Sequence, residues 1–190
     1  YDKRNQKFQT SDGFRSTYFL NLPVISDTNT LKNSYNYKYF TELYEENITT
    51  FSLYLSSANS ISNDDIKLSE RLNVPSNRLR GFEYGKVGPK DGADFIGGNY
   101  VSTFNITSTL PYILENAQNT DFLIFLDAAN VWGVDYDSSI DDSNKLRSAL
   151  GIGVDWFTPV GPLSFSLSQT LTKASTDETE SFRFNLGTTF

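Results

Sequence analysis

Apolar and polar residues alternate with a period of two through much of this 190-residue chain, and that pattern restricts it to β-structure. The alternation is plainest at the end. Phe182, Phe184, Leu186, Thr188 and Phe190 share one face, and Ser181, Arg183, Asn185, Gly187 and Thr189 share the other. Upstream, Leu163, Phe165 and Leu167 oppose Ser164, Ser166 and Ser168. Leu146, Leu150, Ile152, Val154 and Trp156 oppose Arg147, Ala149, Gly151, Gly153 and Asp155. Further runs at 122–131, 100–110, 50–57, 35–44 and 16–22 bring the expected total to about eight strands. Several reach about ten residues, the length a tilted strand needs to cross a bilayer, whereas strands of soluble sheets are commonly shorter.

The connections also alternate in kind. Segments 45–47 and 158–162 are short, while 24–34, 59–97 and 133–144 are longer and polar; 173–177 is short but lies on the same side as the long ones. Short turns on one rim and long loops on the other describe an outer-membrane barrel. Trp132, Trp156, Phe157 and Phe190 at strand ends suit interfacial aromatic girdles. The alternation by itself also admits a soluble sandwich or lipocalin-like barrel with the apolar face inward. Strand length and the terminal aromatic favour the membrane.

Composition narrows the chemistry. Cys and His are absent, which excludes disulfides, thiol chemistry, zinc clusters and a Ser-His triad. A net charge of -7 offers no footprint for nucleic acid. No apolar run is long enough for a membrane helix, and a mean hydropathy of -0.40 is compatible with a membrane barrel, whose inward and outward residues cancel in the average. Paired carboxylates for hydrolysis lack a catalytic partner, so no catalytic residue, metal or cofactor is expected. Asp135-Tyr136-Asp137 with Asp141-Asp142 does not match EF-hand spacing and reads as a solvated surface loop. Tyr1-Asp2-Lys3-Arg4 carries no signal peptide and reads as the middle of a longer chain.

The 59–97 segment breaks the pattern. It holds Asn63-Asp64-Asp65, Pro75, Pro89 and the glycines Gly81, Gly85, Gly88, Gly92 and Gly97. Loops this long are usually functional or disordered, and the cluster Leu79-Arg80-Gly81-Phe82 with Tyr84 argues against a plain linker. Arg80 is either a solvated loop cation or an anchor paired with an acid on a barrel wall. Gly81 is expected to supply a conformation or close approach that a Cβ forbids. Phe82 and Tyr84 are expected to pack against the wall. Arg147, Asp155 and Arg183 face the polar side and are expected to line a wet lumen without individual roles.

Leu79-Arg80-Gly81-Phe82, Val87-Gly88-Pro89-Lys90 and Gly97-Gly98-Asn99 resemble motifs of the BamA-type barrel, from the bacterial surface antigen superfamily. So do Phe125-Leu126-Asp127-Ala128-Ala129-Asn130-Val131-Trp132, the 146–163 stretch and Phe184-Asn185-Leu186-Gly187-Thr188-Thr189-Phe190. Tyr1-Asp2 and Asp12-Gly13 resemble the end of one family strand and its turn. The resemblance covers essentially the whole chain, with its motifs in order.

It implies an all-β fold: roughly the last eight strands of a sixteen-stranded antiparallel transmembrane barrel, with 59–97 as a lumenal loop. The chain, 1–190, is then expected to lack the POTRA domains and the first barrel half. The implied function is assembly and insertion of outer-membrane proteins through a lateral seam, with no enzymatic activity. The implied partners are the outer-membrane bilayer, unfolded client proteins and accessory assembly lipoproteins. Within the resemblance, Asp127 is the wall acid for Arg80. Asn105 stands where the family has a second acid, which weakens a two-carboxylate clamp and leaves Asn105 as a hydrogen-bond acceptor. Phe182, Phe184, Leu186, Gly187 and the terminal Phe190 resemble a C-terminal recognition signal. A two-partner secretion transporter with an Arg-Gly-aromatic loop, a passive porin and a soluble β-barrel binding protein are the alternatives. An eight-stranded barrel is filled by its own side chains, so a loop of this length needs a wider one.

Overall fold

The computed structural model describes the chain apart from residues 8–9, 24–28, 63, 112, 114–118, 143, 160 and 188–190. In chain order its strands are β1 (Gly13–Asn21), β2 (Thr30–Tyr44), β3 (Asn47–Ser60), β4 (Lys90–Asp91), β5 (Asp94–Phe95), β6 (Tyr100–Thr109), β7 (Thr120–Trp132), β8 (Arg147–Thr158), β9 (Gly161–Thr172) and β10 (Phe182–Leu186). All but β4 and β5 form one antiparallel sheet in the order β1-β2-β3-β6-β7-β8-β9-β10. β4 and β5 form a small hairpin inside the loop between β3 and β6. That loop also holds two single-turn 3-10 segments, Leu68–Glu70 and Ser76–Arg78.

β2 and β3 are longer than their alternation suggests, and the loop before β2 is correspondingly shorter. Their extensions carry Lys32, Asn33, Asn59 and Ser60, so the ladder continues where no apolar stripe marks it. On the short-turn rim a third connection, 110–119, joins β6 to β7 and is longer than the two expected turns.

On β8, β9 and β10 the faces separate as the alternation predicts. Leu150, Ile152, Trp156, Leu167, Phe182, Phe184 and Leu186 point outward and are exposed, while Ala149, Ser164, Ser166 and Arg183 are buried on the concave face. Such an apolar outer surface excludes the water-soluble alternative, in which these side chains would fill a core. Trp132 lies at the long-loop rim, its ring 5.7 Å from that of Tyr100, and Trp156 lies towards the short-turn rim.

β7 departs from alternation because both of its faces are apolar. Ile124 and Leu126 point outward, and Leu123, Phe125, Ala129 and Val131 are buried inward around Asp127. Ala129 and Val131 of this set belong to a core cluster with Val74, Leu79, Phe82, Val87, Val101 and Ala149. The main hydrophobic core therefore lies between the loop and the concave wall, not between two sheets.

Among the described residues the sheet does not close on itself. The outer edge of β1 is covered by the chain start: the Ser16 N–H donates to Tyr1 O (2.8 Å), Lys3 N–H to Phe14 O (2.9 Å) and Asn5 N–H to Asp12 O (3.0 Å). Tyr1-Asp2 thus sits as a strand end before its turn. At the opposite edge, β10 pairs only with β9 among the described residues.

Candidate functional site

The 61–99 loop folds onto the concave wall as a plug. The Leu72–Gly98 backbone pair ties the loop to itself, and its end is stitched to the rim by the Ala58 N–H donating to Asn99 O (2.8 Å) and the Asn99 N–H donating to Gly133 O (3.0 Å). At its centre Arg80, 2% exposed, meets the fully buried Asp127 of β7. Arg80 Nε donates to Asp127 Oδ2 at 2.7 Å, Nη2 to Oδ1 at 2.8 Å and the Arg80 backbone N–H to Oδ2 at 3.0 Å. Thr107 of β6 accepts from Nη2 at 3.2 Å. The guanidinium lies 3.5 Å from the centroid of the Phe125 ring, a cation–π contact that closes its other face. Gly151 makes this stacking possible, since a Cβ there would come within 2.5 Å of the Phe125 ring.

Asn105 enters the site in the sense opposite to that expected. Its Nδ2 donates to Asp127 Oδ1 (2.8 Å) and to Arg78 O (2.7 Å), two groups that only accept. Asn105 therefore completes the carboxylate's hydrogen bonding and ties the loop backbone to β6. One carboxylate neutralises one guanidinium, and an acid at position 105 would place a second negative charge against the first.

Gly81 has φ of +89°, and a Cβ there would lie 2.8 Å from the Ala149 Cβ. Both the conformation and the closeness of loop to wall require glycine. Its carbonyl accepts from Thr170 Oγ1 (3.0 Å) and from the Glu180 N–H (3.2 Å). Gly88 repeats the device at φ +107°, with its missing Cβ 2.6 Å from Val131. Phe82 is buried in the core cluster, but Tyr84 is 63% exposed and does not pack on the wall. Between them the chain turns to pair with 178–180, carrying Tyr84 outward.

Two inward cations that the alternation assigned to a wet lumen are buried fasteners instead. Arg147 of β8 and Asp177 of the β9–β10 loop are both fully buried, with Nε–Oδ2 at 3.0 Å and Nη2–Oδ1 at 3.1 Å. Asp177 also accepts from the N–H groups of Ala174 (2.6 Å) and Gly88 (3.3 Å). Arg183 of β10 donates to the plug carbonyls of Ser76, Leu79 (3.3 Å) and Phe82, and pairs with Glu180. Arg78 donates to Asn36 of β2 (3.0 Å) and lies over the Tyr54 ring of β3. One sign was available in sequence: Arg147 heads a face of Ala149, Gly151 and Gly153, which leaves space that another element must fill.

The acidic 135–142 segment is likewise more than a solvated loop. Asp135 pairs with Arg71 and accepts from the Ile66 N–H (3.0 Å), and Tyr136 donates to Asp91 (2.8 Å). Burial pushes the Asp135 carboxyl up, but the Ile66 N–H, Asn99 and Arg71 together hold it below its ordinary value. Charges neutralised in pairs and carbonyls capped by buried cations make the loop a fastened strut.

On β10, Phe182, Phe184 and Leu186 are exposed on the outer face, with the Phe184 ring 5.1 Å from that of Phe165. Gly187, at φ +81°, donates its N–H to Pro162 O (2.8 Å). Phe190 lies outside the described residues.

The family model described as the Omp85 superfamily domain matches residues 1–190. The outer membrane protein assembly factor BamA of Neisseria meningitidis serogroup B is 30% identical over 141 residues, covering 59% of this chain and 17% of that protein. The BamA of Neorickettsia risticii is 27% identical over 117 residues, covering 60% of this chain and 16% of its own length. The chain thus spans about a sixth of the length of these relatives. The crystal structure of BamA from Haemophilus ducreyi lacking POTRA domains 1–3 superposes with a TM-score of 0.84 at 26% identity, over 97% of this chain and 40% of that one. With a matching strand meander, an apolar outer face and a plug inside, the chain belongs to the Omp85 superfamily and is a BamA-type C-terminal barrel segment, integral to the outer membrane.

Proposed function

We propose that this chain is the C-terminal barrel part of an outer-membrane protein assembly factor. In the complete protein it supplies roughly the last eight strands of a sixteen-stranded barrel, preceded by POTRA domains. The observation that carries the reading is the combination of a fastened plug with an unshared edge: 61–99 covers the concave wall, and β10 pairs on one side only among the described residues. A covered wall suits a passive pore poorly, because a porin keeps a polar, water-filled interior. An edge strand, in contrast, is a template to which an incoming strand adds by main-chain hydrogen bonds.

In this mechanism β10 forms one side of a lateral seam whose other side is the first strand of the complete barrel. Seam opening exposes the β10 ladder to unfolded client barrels, and the protein perturbs the bilayer locally as they insert. The partners are those clients, the bilayer and accessory assembly lipoproteins. Arg80, Gly81, Phe82, Asp127 and Asn105 anchor the plug that keeps the wall rigid while the seam moves. Phe182, Phe184, Leu186, Gly187 and Phe190 form the strand read during the protein's own insertion.

The test is reconstitution of the full-length protein in proteoliposomes with an unfolded client barrel. Cysteines in β10 and in the client's first strand, which runs antiparallel to it, should crosslink in a ladder with two-residue periodicity. Client folding without any crosslink to β10 overturns the templating reading.

A further inference from the structure

We propose that the plug and the terminal edge strand move as one unit, with Arg183 as the residue that couples them. β10 holds its place on β9 only while the plug is seated. The coupling is distinct from the Arg80–Asp127 contact, which fastens the plug to β7 on the far side of β8 and β9.

β10 is weakly held by its own sheet. It is a five-residue strand on the twelve-residue β9, paired from Phe182↔Leu167 to Leu186↔Leu163. Its outward side chains face lipid, which offers no packing preference for one ladder position over another. What fixes its start is the plug. Arg183, 8% exposed, donates to the carbonyls of Ser76, Leu79 and Phe82, which bracket Arg80-Gly81.

The approach to β10 is bonded to the same segment. The Glu180 N–H donates to Gly81 O (3.2 Å), Glu178 N–H to Lys86 O (3.0 Å) and Glu83 N–H to Glu178 O (3.1 Å), and Asp177 accepts from the Gly88 N–H. From 177 to 183 the chain therefore runs along plug residues 76–88 before it joins the sheet.

The chemistry of the guanidinium explains this coupling. A guanidinium spreads its donors in a rigid planar fork, and here the fork is matched to carbonyls of the loop. Withdrawing the plug takes three carbonyl acceptors from Arg183 and leaves it Glu180 alone, so its inward position loses most of its hydrogen bonding. Arg183 must then swing to solvent, which draws the inward face of β10 away from the wall. By reciprocity, loosening β10 lowers the plug's hold on its seat by the same factor. The functional consequence, that plug seating controls how available the β10 edge is to a client, rests on the templating reading; the coupling itself rests on the bonds above.

Hydrogen exchange of the full-length protein in lipid nanodiscs tests it. Arg183→Gln should accelerate exchange of residues 182–186 by at least ~10-fold while 149–153 of β8 stay protected, because only the local opening has become easier. Arg183→Lys, which keeps the charge but not the fork, should fall between the two and carries the comparison if Arg183→Gln does not fold. Asp127→Ala should accelerate 182–186 in the native background and add little in the Arg183→Gln background. Unchanged exchange at 182–186 in the position-183 variants overturns the coupling. So does an equal rise at 149–153, or an Asp127→Ala effect of the same size in both backgrounds. Client folding by these variants is scored separately and bears on the templating reading alone.

Discussion

Removing either member of the Arg80–Asp127 pair should cost nearly as much as removing both. Asp127 accepts three bonds from Arg80 and one from Asn105, and neither partner of the ion pair reaches solvent. Arg80→Ala leaves a buried carboxylate without its counter-charge, and Asp127→Ala leaves a buried guanidinium without its own. Either should destabilise the barrel by roughly 3–5 kcal/mol, the cost of stranding one buried charge. Arg80→Ala should be the worse by about 0.5–2 kcal/mol, because it also removes the stacking on Phe125. In the double variant no charge is stranded, so its loss should stay close to that of one single variant, not their sum. The assay is equilibrium urea unfolding of the full-length protein in lipid vesicles, followed by the mobility difference between folded and unfolded barrel. The two singles and the double form a cycle whose coupling should reach about 2 kcal/mol or more. Losses additive to within about 0.5 kcal/mol would refute the pairing as the source of stability.

Three further outcomes follow from the same geometry. Gly81→Ala should destabilise by roughly 1–3 kcal/mol, because the new Cβ both strains φ and meets Ala149; Ala149→Gly in the same unfolding assay should recover only the contact part. Phe82→Ala should cost about 3–5 kcal/mol, whereas Tyr84→Ala should change stability by no more than about 0.5 kcal/mol, so equal effects would contradict the burial difference. At the outer rim, Asp135 has its carboxyl held below the ordinary 3.8, so its contribution is complete above that value and is lost as pH falls through the lower folded value. Protection of the Ile66 N–H, which donates to Asp135, should therefore stay level from neutral pH to about 5 and decline only below about 4.

The elements legible in sequence were those with one face in lipid and the other against small or polar groups. On β8, β9 and β10 the inward residues are mostly small or polar, so outward Leu, Ile and Phe stand out at a period of two. On β7 the plug makes the inward face apolar as well, and alternation faded although the strand is among the longest. Asp127 was reachable only through the family motif, because Leu123, Phe125, Ala129 and Val131 disguise its face as a core.

The pairing of Arg147 with Asp177 and the role of Arg183 were not legible: the small face beside Arg147 hints at a covering element, but nothing local names the partner of a buried charge. Their partners lie 30 residues away for Arg147–Asp177 and more than a hundred for Arg183–Phe82. Tyr84 misled for the converse reason: its neighbour Phe82 is buried, but the backbone turns outward between them to meet 178–180.

By itself, then, the sequence determined the strand meander, the lipid-facing surface, the presence of an unpatterned inserted loop and the family to which they point. These are local properties, set by the pleat and by which side chains tolerate hydrocarbon. Only the tertiary structure decided that the wall under the loop is a hydrophobic core, that Asn105 serves Asp127 as a donor, and that two more arginines hold the plug and the terminal hairpin together. Those contacts depend on where a loop comes to rest against strands distant in the chain. Burial there turns ordinary lumenal charges into paired ones, because a buried charge persists only with its partner in place.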